Sequence, residues 1–207
     1  MTPTNRATGA PRLILASTSR YRRELLERLQ LVFETQSPET DESVMPGETP
    51  LEVARRLSRA KARAVAARHP NAVVIGSDQT ATLDGLATLG KAGHLAAARQ
   101  QLRAASGRAL RFHTGLAVVC LAGGFESVDV VDTVVRFREL SDEAIERYLA
   151  LEPAFDCAGS AKAEGLGIAL MAGFESTDPT AIVGLPLITL AHRLAEAGLD
   201  PLGAVRD

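Results

Sequence analysis

Tryptophan is absent from this 207-residue sequence, and tyrosine and cysteine occur only twice each. Two tyrosines leave little aromatic surface for stacking a nucleic-acid strand. Nor is there an excess of positive charge to attract one, since 23 basic residues stand against 25 acidic ones for a net charge of -2. A nucleic-acid module built on Arg20, Arg22 and Arg23 is therefore disfavoured, as is adsorption to an anionic membrane. Cys120 and Cys157 sit apart in apolar or small-residue surroundings, without a neighbouring cysteine or histidine. That argues against a disulfide framework and a zinc site, and fits a reducing cytosol. The longest apolar runs, such as residues 115–122, fall far short of the ~20 residues needed to span a bilayer. No Walker A sequence and no GxGxxG occurs anywhere. The first eleven residues are polar, rich in Thr, Pro and Gly, and have no apolar stretch of signal-peptide length. We expect a cytoplasmic protein with a flexible N-terminal extension over residues 1–11 and a single domain over residues 12–207.

What is present is an ordinary globular composition, 46% hydrophobic and 23% charged. A chain of this length buries roughly 70% of the surface its unfolded form exposes, enough for a core without metal or disulfide. The run Leu13-Ile14-Leu15-Ala16 reads as a strand that ends in Ser17-Thr18-Ser19 and hands over to a helix across Tyr21 to Leu31, with Leu25, Leu26 and Leu29 on one face. After an acidic, proline-containing loop (residues 36–48), residues 50–68 carry a second amphipathic pattern. Residues 72–75 form an apolar β-branched strand that stops at Gly76-Ser77-Asp78-Gln79, followed by a hairpin around Asp84-Gly85. A third helix spans residues 94–105. Two long strands, 111–121 and 125–137, meet at Gly123-Gly124, and Ser141 caps a fourth helix. A glycine-rich stretch (158–167), one more strand and a last helix over 186–197 complete a mixed α/β pattern of one unit or two lobes. His69, His94, His113 and His192 are scattered without metal-ligand spacing and are assigned to capping or packing.

Chemistry concentrates where strands end. Ser17, Ser19, Arg22 and Arg23 stand at the first strand-to-helix junction, where free N–H groups favour an anion and arginines grip phosphate in bidentate fashion. Glu39, Asp41 and Glu42 crowd one loop. Asp78 ends an apolar strand, a place where an unpaired acid is expensive and where ligands bind in open α/β sheets. Hard oxygen donors beside phosphate suit magnesium. Lys61 and Lys91 add positive charge.

In order along the chain, Leu13-Ile14-Leu15-Ala16-Ser17-Thr18-Ser19, Arg22-Arg23-Glu24-Leu25-Leu26, Asp41-Glu42-Ser43, Arg59-Ala60-Lys61-Ala62, Gly76-Ser77-Asp78-Gln79, Gly90-Lys91 and Val183-Gly184-Leu185-Pro186 resemble the Maf family of nucleoside triphosphate pyrophosphatases. The resemblance spans nearly all of the chain after residue 12. It implies a mixed α/β fold of ITPase-like type, with a long curved central sheet flanked by helices and two lobes around a cleft. It implies hydrolysis of a nucleoside triphosphate to monophosphate and pyrophosphate, in a nucleotide-pool sanitising role, with a divalent cation, magnesium or manganese. A homodimer is common in the family. By this resemblance Asp78 and Lys91 are catalytic and Glu42 and Asp78 hold the metal. Ser17, Ser19, Tyr21, Arg22, Arg23, Lys61, Gln79 and Glu164 bind substrate.

Gln79, Ala163-Glu164-Gly165 and Phe155-Asp156-Cys157-Ala158-Gly159-Ser160 resemble the branch acting on 7-methyl-GTP rather than that acting on dTTP and UTP. Tyr21, Gln79 and Glu164 then read the base. Guanine offers N1–H and a 2-amino group as adjacent donors that one carboxylate accepts, and N7-methylation makes the base cationic, which favours a nearby carboxylate and a stacked tyrosine. Arg20, Tyr21, Ala92 and Ala163 depart from the branch pattern; none removes a charged catalytic group. Two questions stay open from sequence: whether Asp78 takes the proton itself or positions water through a metal, and whether another nucleotide is the substrate. A non-catalytic nucleotide-binding regulator is disfavoured by retention of Asp78, the acidic loop and both lysines.

Overall fold

A computed structural model describes residues 11–203. The extension expected over residues 1–11 lies, apart from Pro11, outside the described residues.

The chain forms β1 (Leu13–Leu15), α1 (Arg20–Glu27), β2 (Phe33–Thr35), α2 (Pro50–Arg68), β3 (Val73–Thr82), α3 (Leu95–Ala105), β4 (Ala109–Cys120), β5 (Phe125–Phe137), α4 (Asp142–Leu151), β6 (Met171–Ser176) and α5 (Leu187–Glu196). Two short 3-10 turns, Leu166–Leu170 and Ala181–Val183, complete it. Thr49 and Glu52 make a reciprocal cap at the start of α2 with Pro50 in its first turn, Ser141 caps α4, and His94 caps α3. The six strands form one mixed sheet in the order β2-β1-β3-β4-β5-β6. β1 runs parallel to β2 and β3, and the remaining pairs are antiparallel. The α/β architecture with long central strands is the one expected.

Alternation along the strands sorts the core into layers. Leu13, Leu15, Val73, Ile75, Leu116 and Val118 face α1 and α5, while Ile14, Ala16, Val74, Ala117 and Val119 face α2. At the other end of the sheet, Leu110, Phe112, Val135 and Phe137 pack with α3 and α4 in a separate cluster. Two glycines set the distance between α2 and the sheet. A Cβ at Gly76 would collide with the Ser58 carbonyl and the Ala62 amide, and one at Gly115 with the Ala54 carbonyl. The helix therefore lies on the backbone of β3 and β4, within reach of their side chains.

Three elements depart from the sequence expectation. α1 stops at Glu27 rather than Leu31, because the chain turns through Gln30 at φ 56° to enter β2, a three-residue strand that periodicity cannot reveal. β3 continues past Ile75 to Thr82. Its polar half stays extended because it pairs with β4 from Gly76↔Ala117 to Thr82↔Arg111 and because its side chains find partners on both faces. The Asp84-Gly85 turn forms as expected, with Gly85 at φ 79° and Leu89 returning to pair with Ala81.

Candidate active site

β1 ends at Leu15, paired with Ile75, whereas β3 runs on for seven residues. The exposed flank of β3, at the carboxyl end of β1, borders a cleft of about 950 Å³. That is large enough for a nucleotide-sized ligand, since small-molecule sites run to roughly 300–1,000 Å³.

Asp78 forms the floor. Lys61, four residues after Leu57 on the face of α2 that Gly76 and Gly115 bring onto the sheet, places its ammonium 2.6 Å from Asp78 Oδ1 and 2.8 Å from Glu42 Oε1. Lys61 is 6% exposed at its side chain and Asp78 11%. Removing one member of such a buried pair leaves an uncompensated charge, at a cost of about 3–5 kcal/mol. Burial pushes the Asp78 carboxyl above its ordinary value, and the charges of Lys61 and Arg22 only partly offset it. Oδ2 accepts no hydrogen bond from the described residues.

The wall beside Asp78 is the β1–α1 turn. Ser17 Oγ accepts from the Ser19 amide at 3.1 Å, and Ser19 Oγ accepts from the Arg22 amide, so both hydroxyls shape the turn that presents the first N–H groups of α1. No acidic residue occupies that first turn to neutralise its positive end. Arg22 Nε donates to the Gly184 carbonyl at 2.9 Å, and Ser77 Oγ reaches the same carbonyl at 2.8 Å. Gly184, at φ 109°, turns that oxygen inward in a conformation other residues rarely adopt. Enclosure lowers the Arg22 pKa, an effect Asp78 and Glu42 partly counter.

Gln79 faces the opposite side of β3. Its amide nitrogen donates to Thr114 Oγ1 at 3.0 Å, Ala181 O at 2.9 Å and Ile182 O at 3.1 Å. Carbonyls only accept, so the amide orientation is defined and only Oε1 is left for a ligand. Glu164 also lines the cleft, and its carboxylate accepts no hydrogen bond from the described residues. Lys91 is exposed at the rim, its backbone paired with Ala158.

The family model of Maf-like protein matches residues 12–197. The chain belongs to the Maf-like family. It is 58% identical over 192 residues to a Bordetella pertussis protein named 7-methyl-GTP pyrophosphatase, covering 93% of this chain and 95% of that one. Proteins of the same name from Albidiferax ferrireducens (54%, 93% and 96% covered) and Xanthomonas campestris (57%, 92% and 98% covered) are similarly related. Among solved structures, a HAM1 protein from Coxiella burnetii aligns with a TM-score of 0.43 at 16% identity, covering 62% of this chain and 73% of that one.

Most of the residues singled out in the sequence converge in the Maf-like cleft: Ser17, Ser19, Tyr21, Arg22, Glu39, Glu42, Lys61, Asp78, Gln79, Lys91 and Glu164 all line it. Arg23 does not. Its guanidinium pairs instead with Glu27 on the exposed side of α1. Asp41 is likewise outside, accepting from the backbone and hydroxyl of Ser43. Arg20, which the sequence places beside Tyr21 at the flank of the base pocket, lines the cleft, as do Thr40, Asp156 and Lys162, which sequence reasoning does not single out. Asp156 lay within a motif already noted; Lys162 had no signal beyond its closeness to Glu164. A second, shallower groove beside α2 holds Arg56 and Arg59, but these are already paired with Glu48 and Glu126.

No cluster of three or more His, Cys, Asp or Glu that would hold a metal occurs among the described residues. Magnesium needs fewer, because it is commonly bound by one or two carboxylates together with substrate phosphates and water. Asp78, with Oδ2 unengaged, and the neighbouring Glu42 fit that requirement.

Proposed function

We propose that this Maf-like protein hydrolyses 7-methyl-GTP to 7-methyl-GMP and pyrophosphate. The observation that carries the reading is Asp78, a buried carboxylate with one oxygen held by Lys61 and the other unengaged, on the floor of a cleft flanked by cationic groups. The close relatives bearing that activity in their names support it.

Water attacks the α-phosphorus, the bond from that phosphorus to the α–β bridging oxygen breaks, and pyrophosphate leaves with the bond's electrons. Asp78 accepts the proton of the attacking water. Lys61 holds Asp78 in place. Arg22, the open N-terminus of α1 and Lys91 balance the charge of the triphosphate and of the leaving group. Magnesium, held by Asp78 and Glu42, would supply further neutralisation of the phosphate charge when bound. At the other end, Glu164 and the lone acceptor of Gln79 suit the donor edge of guanine. A cytoplasmic location is consistent with the nucleotide substrate.

The test is pyrophosphate release from 7-methyl-GTP, GTP, dTTP and UTP in magnesium, run in ¹⁸O-labelled water. The reading requires fastest turnover of 7-methyl-GTP with label in the monophosphate. Preference for UTP or dTTP would overturn the substrate, and label in pyrophosphate would overturn the mechanism.

A further inference from the structure

Across the mouth of the cleft, three residues with no part in the chemistry above are joined. Tyr21, in the first turn of α1, donates its hydroxyl to Asp156 Oδ2 at 3.0 Å. Lys162 places its ammonium 3.1 Å from the other oxygen, Oδ1. Asp156 and Lys162 belong to the loop after α4, 135 and more residues from Tyr21 in sequence, so one carboxylate ties two edges of the cleft together. That loop is itself anchored, because the Lys162 amide donates to the hydroxyl of Tyr148, a buried core residue. The Tyr21 ring is also flanked by charge. The Arg20 guanidinium carbon lies 4.8 Å from the ring centroid and the Lys162 ammonium 5.9 Å from it. Burial pushes the Asp156 carboxyl up, but hydrogen bonds from Lys162 and Tyr21 outweigh it and hold the group below the ordinary carboxylate range.

The expectation that Tyr21 offers a bare stacking face to a cationic base is therefore incomplete. Two cations already attend the ring, and among the described residues Asp156 is the carboxylate bonded to the tyrosine hydroxyl. We propose that Asp156 is a positioning and specificity-determining residue: it holds Tyr21 and Lys162 together and cancels enough positive charge for an N7-methylated, cationic guanine to be admitted. This rests on the reading of the cleft as a guanine-nucleotide site. Neutralising Asp156 leaves Lys162 without its ion-pair partner and weakens the negative charge opposing Arg20, where Glu24 remains, which penalises a cationic base more than a neutral one. Removing only the tyrosine hydroxyl loosens the clasp but leaves every charge in place.

The two substitutions Asp156→Asn and Tyr21→Phe separate charge from positioning. With kcat/KM measured for 7-methyl-GTP and GTP on the full chain, Asp156→Asn lowers the 7-methyl-GTP to GTP ratio by about fivefold, the scale of one partly exposed ion pair. Tyr21→Phe raises KM for both nucleotides alike and leaves the ratio unchanged, and Asp156→Glu restores most of it. Both ratios are internal to one variant, so a general loss of folded protein cancels. A wild-type protein that turns over neither guanine nucleotide would sink the guanine reading. Turnover retained with an unaltered ratio in Asp156→Asn would sink the Asp156 proposal alone.

Discussion

The two ends of the cleft are built differently. At the phosphate end, Lys61 and Asp78 are almost fully enclosed and are carried by α2 and β3, elements pressed together at Gly76 and Gly115. At the base end, Asp156 and Glu164 are exposed and ride on a loop. Groups that must hold a reacting phosphorus in place gain from rigid elements, while groups that choose among substrates can sit on loops. On the proposed reading, the chemistry rests mainly on α2 and β3, while the loop after α4 shares the choice of base with Tyr21 of α1 and Gln79 of β3.

The sharpest way to break this contrast is at Asp78. Asp78→Asn keeps size but loses basicity, and kcat should fall by roughly 10²–10⁴ for every nucleotide. Steady-state turnover within tenfold of wild type would remove Asp78 from the mechanism. Stability draws the same line between the ends. Lys61→Met leaves Asp78 buried without its partner, so it should cost about 3 kcal/mol and lower Tm by roughly 6–12 °C. Lys162→Met breaks only a partly exposed pair and should shift Tm by about 3 °C or less. Equal shifts in thermal melts would erase the distinction.

The contrast also governs what the sequence disclosed. Asp78 stands out because an acid that ends an apolar strand demands a partner, whereas Lys61 shows in the sequence only as further positive charge; the structure brings the two together. The major helices and long strands follow from their periodicity. The arginine pair was legible as a cationic patch, but which arginine faces the cleft depends on where α1 begins, and that is set by Ser19. Sequence alone ends β3 at Ile75, because Gly76, Ser77, Asp78 and Gln79 look like a turn. Only the ladder to β4 and the partners beneath it keep them extended. Asp156 and Lys162 meet Tyr21 through a contact spanning 135 residues, and no local pattern encodes that.

A smaller effect concerns the acidic loop that carries Glu42. Glu48 pins that loop to α2 through Arg56, and hydrogen bonds from Arg56 and the Met45 amide lower its pKa from 4.5 to about 2. Its folded value lies below its unfolded one, so its stabilisation is fully present above pH 4.5 and is lost as pH falls toward about 2. Glu48→Gln should lower Tm modestly at pH 7, with the difference from wild type narrowing through that window. A difference independent of pH would show that Glu48 acts by shape alone.

The division of labour is tested most directly by comparing Glu164→Gln with Arg22→Lys. For each, kcat/KM is measured with 7-methyl-GTP and with UTP. The lost charge-assisted bond in Glu164→Gln should reduce the 7-methyl-GTP to UTP ratio by on the order of tenfold, about 1–2 kcal/mol. Arg22→Lys loses guanidinium geometry at the phosphate end, so it should slow both substrates while leaving their ratio within about twofold of wild type. A ratio that moves with Arg22 and not with Glu164 would contradict the assignment of chemistry to one end of the cleft and choice of base to the other.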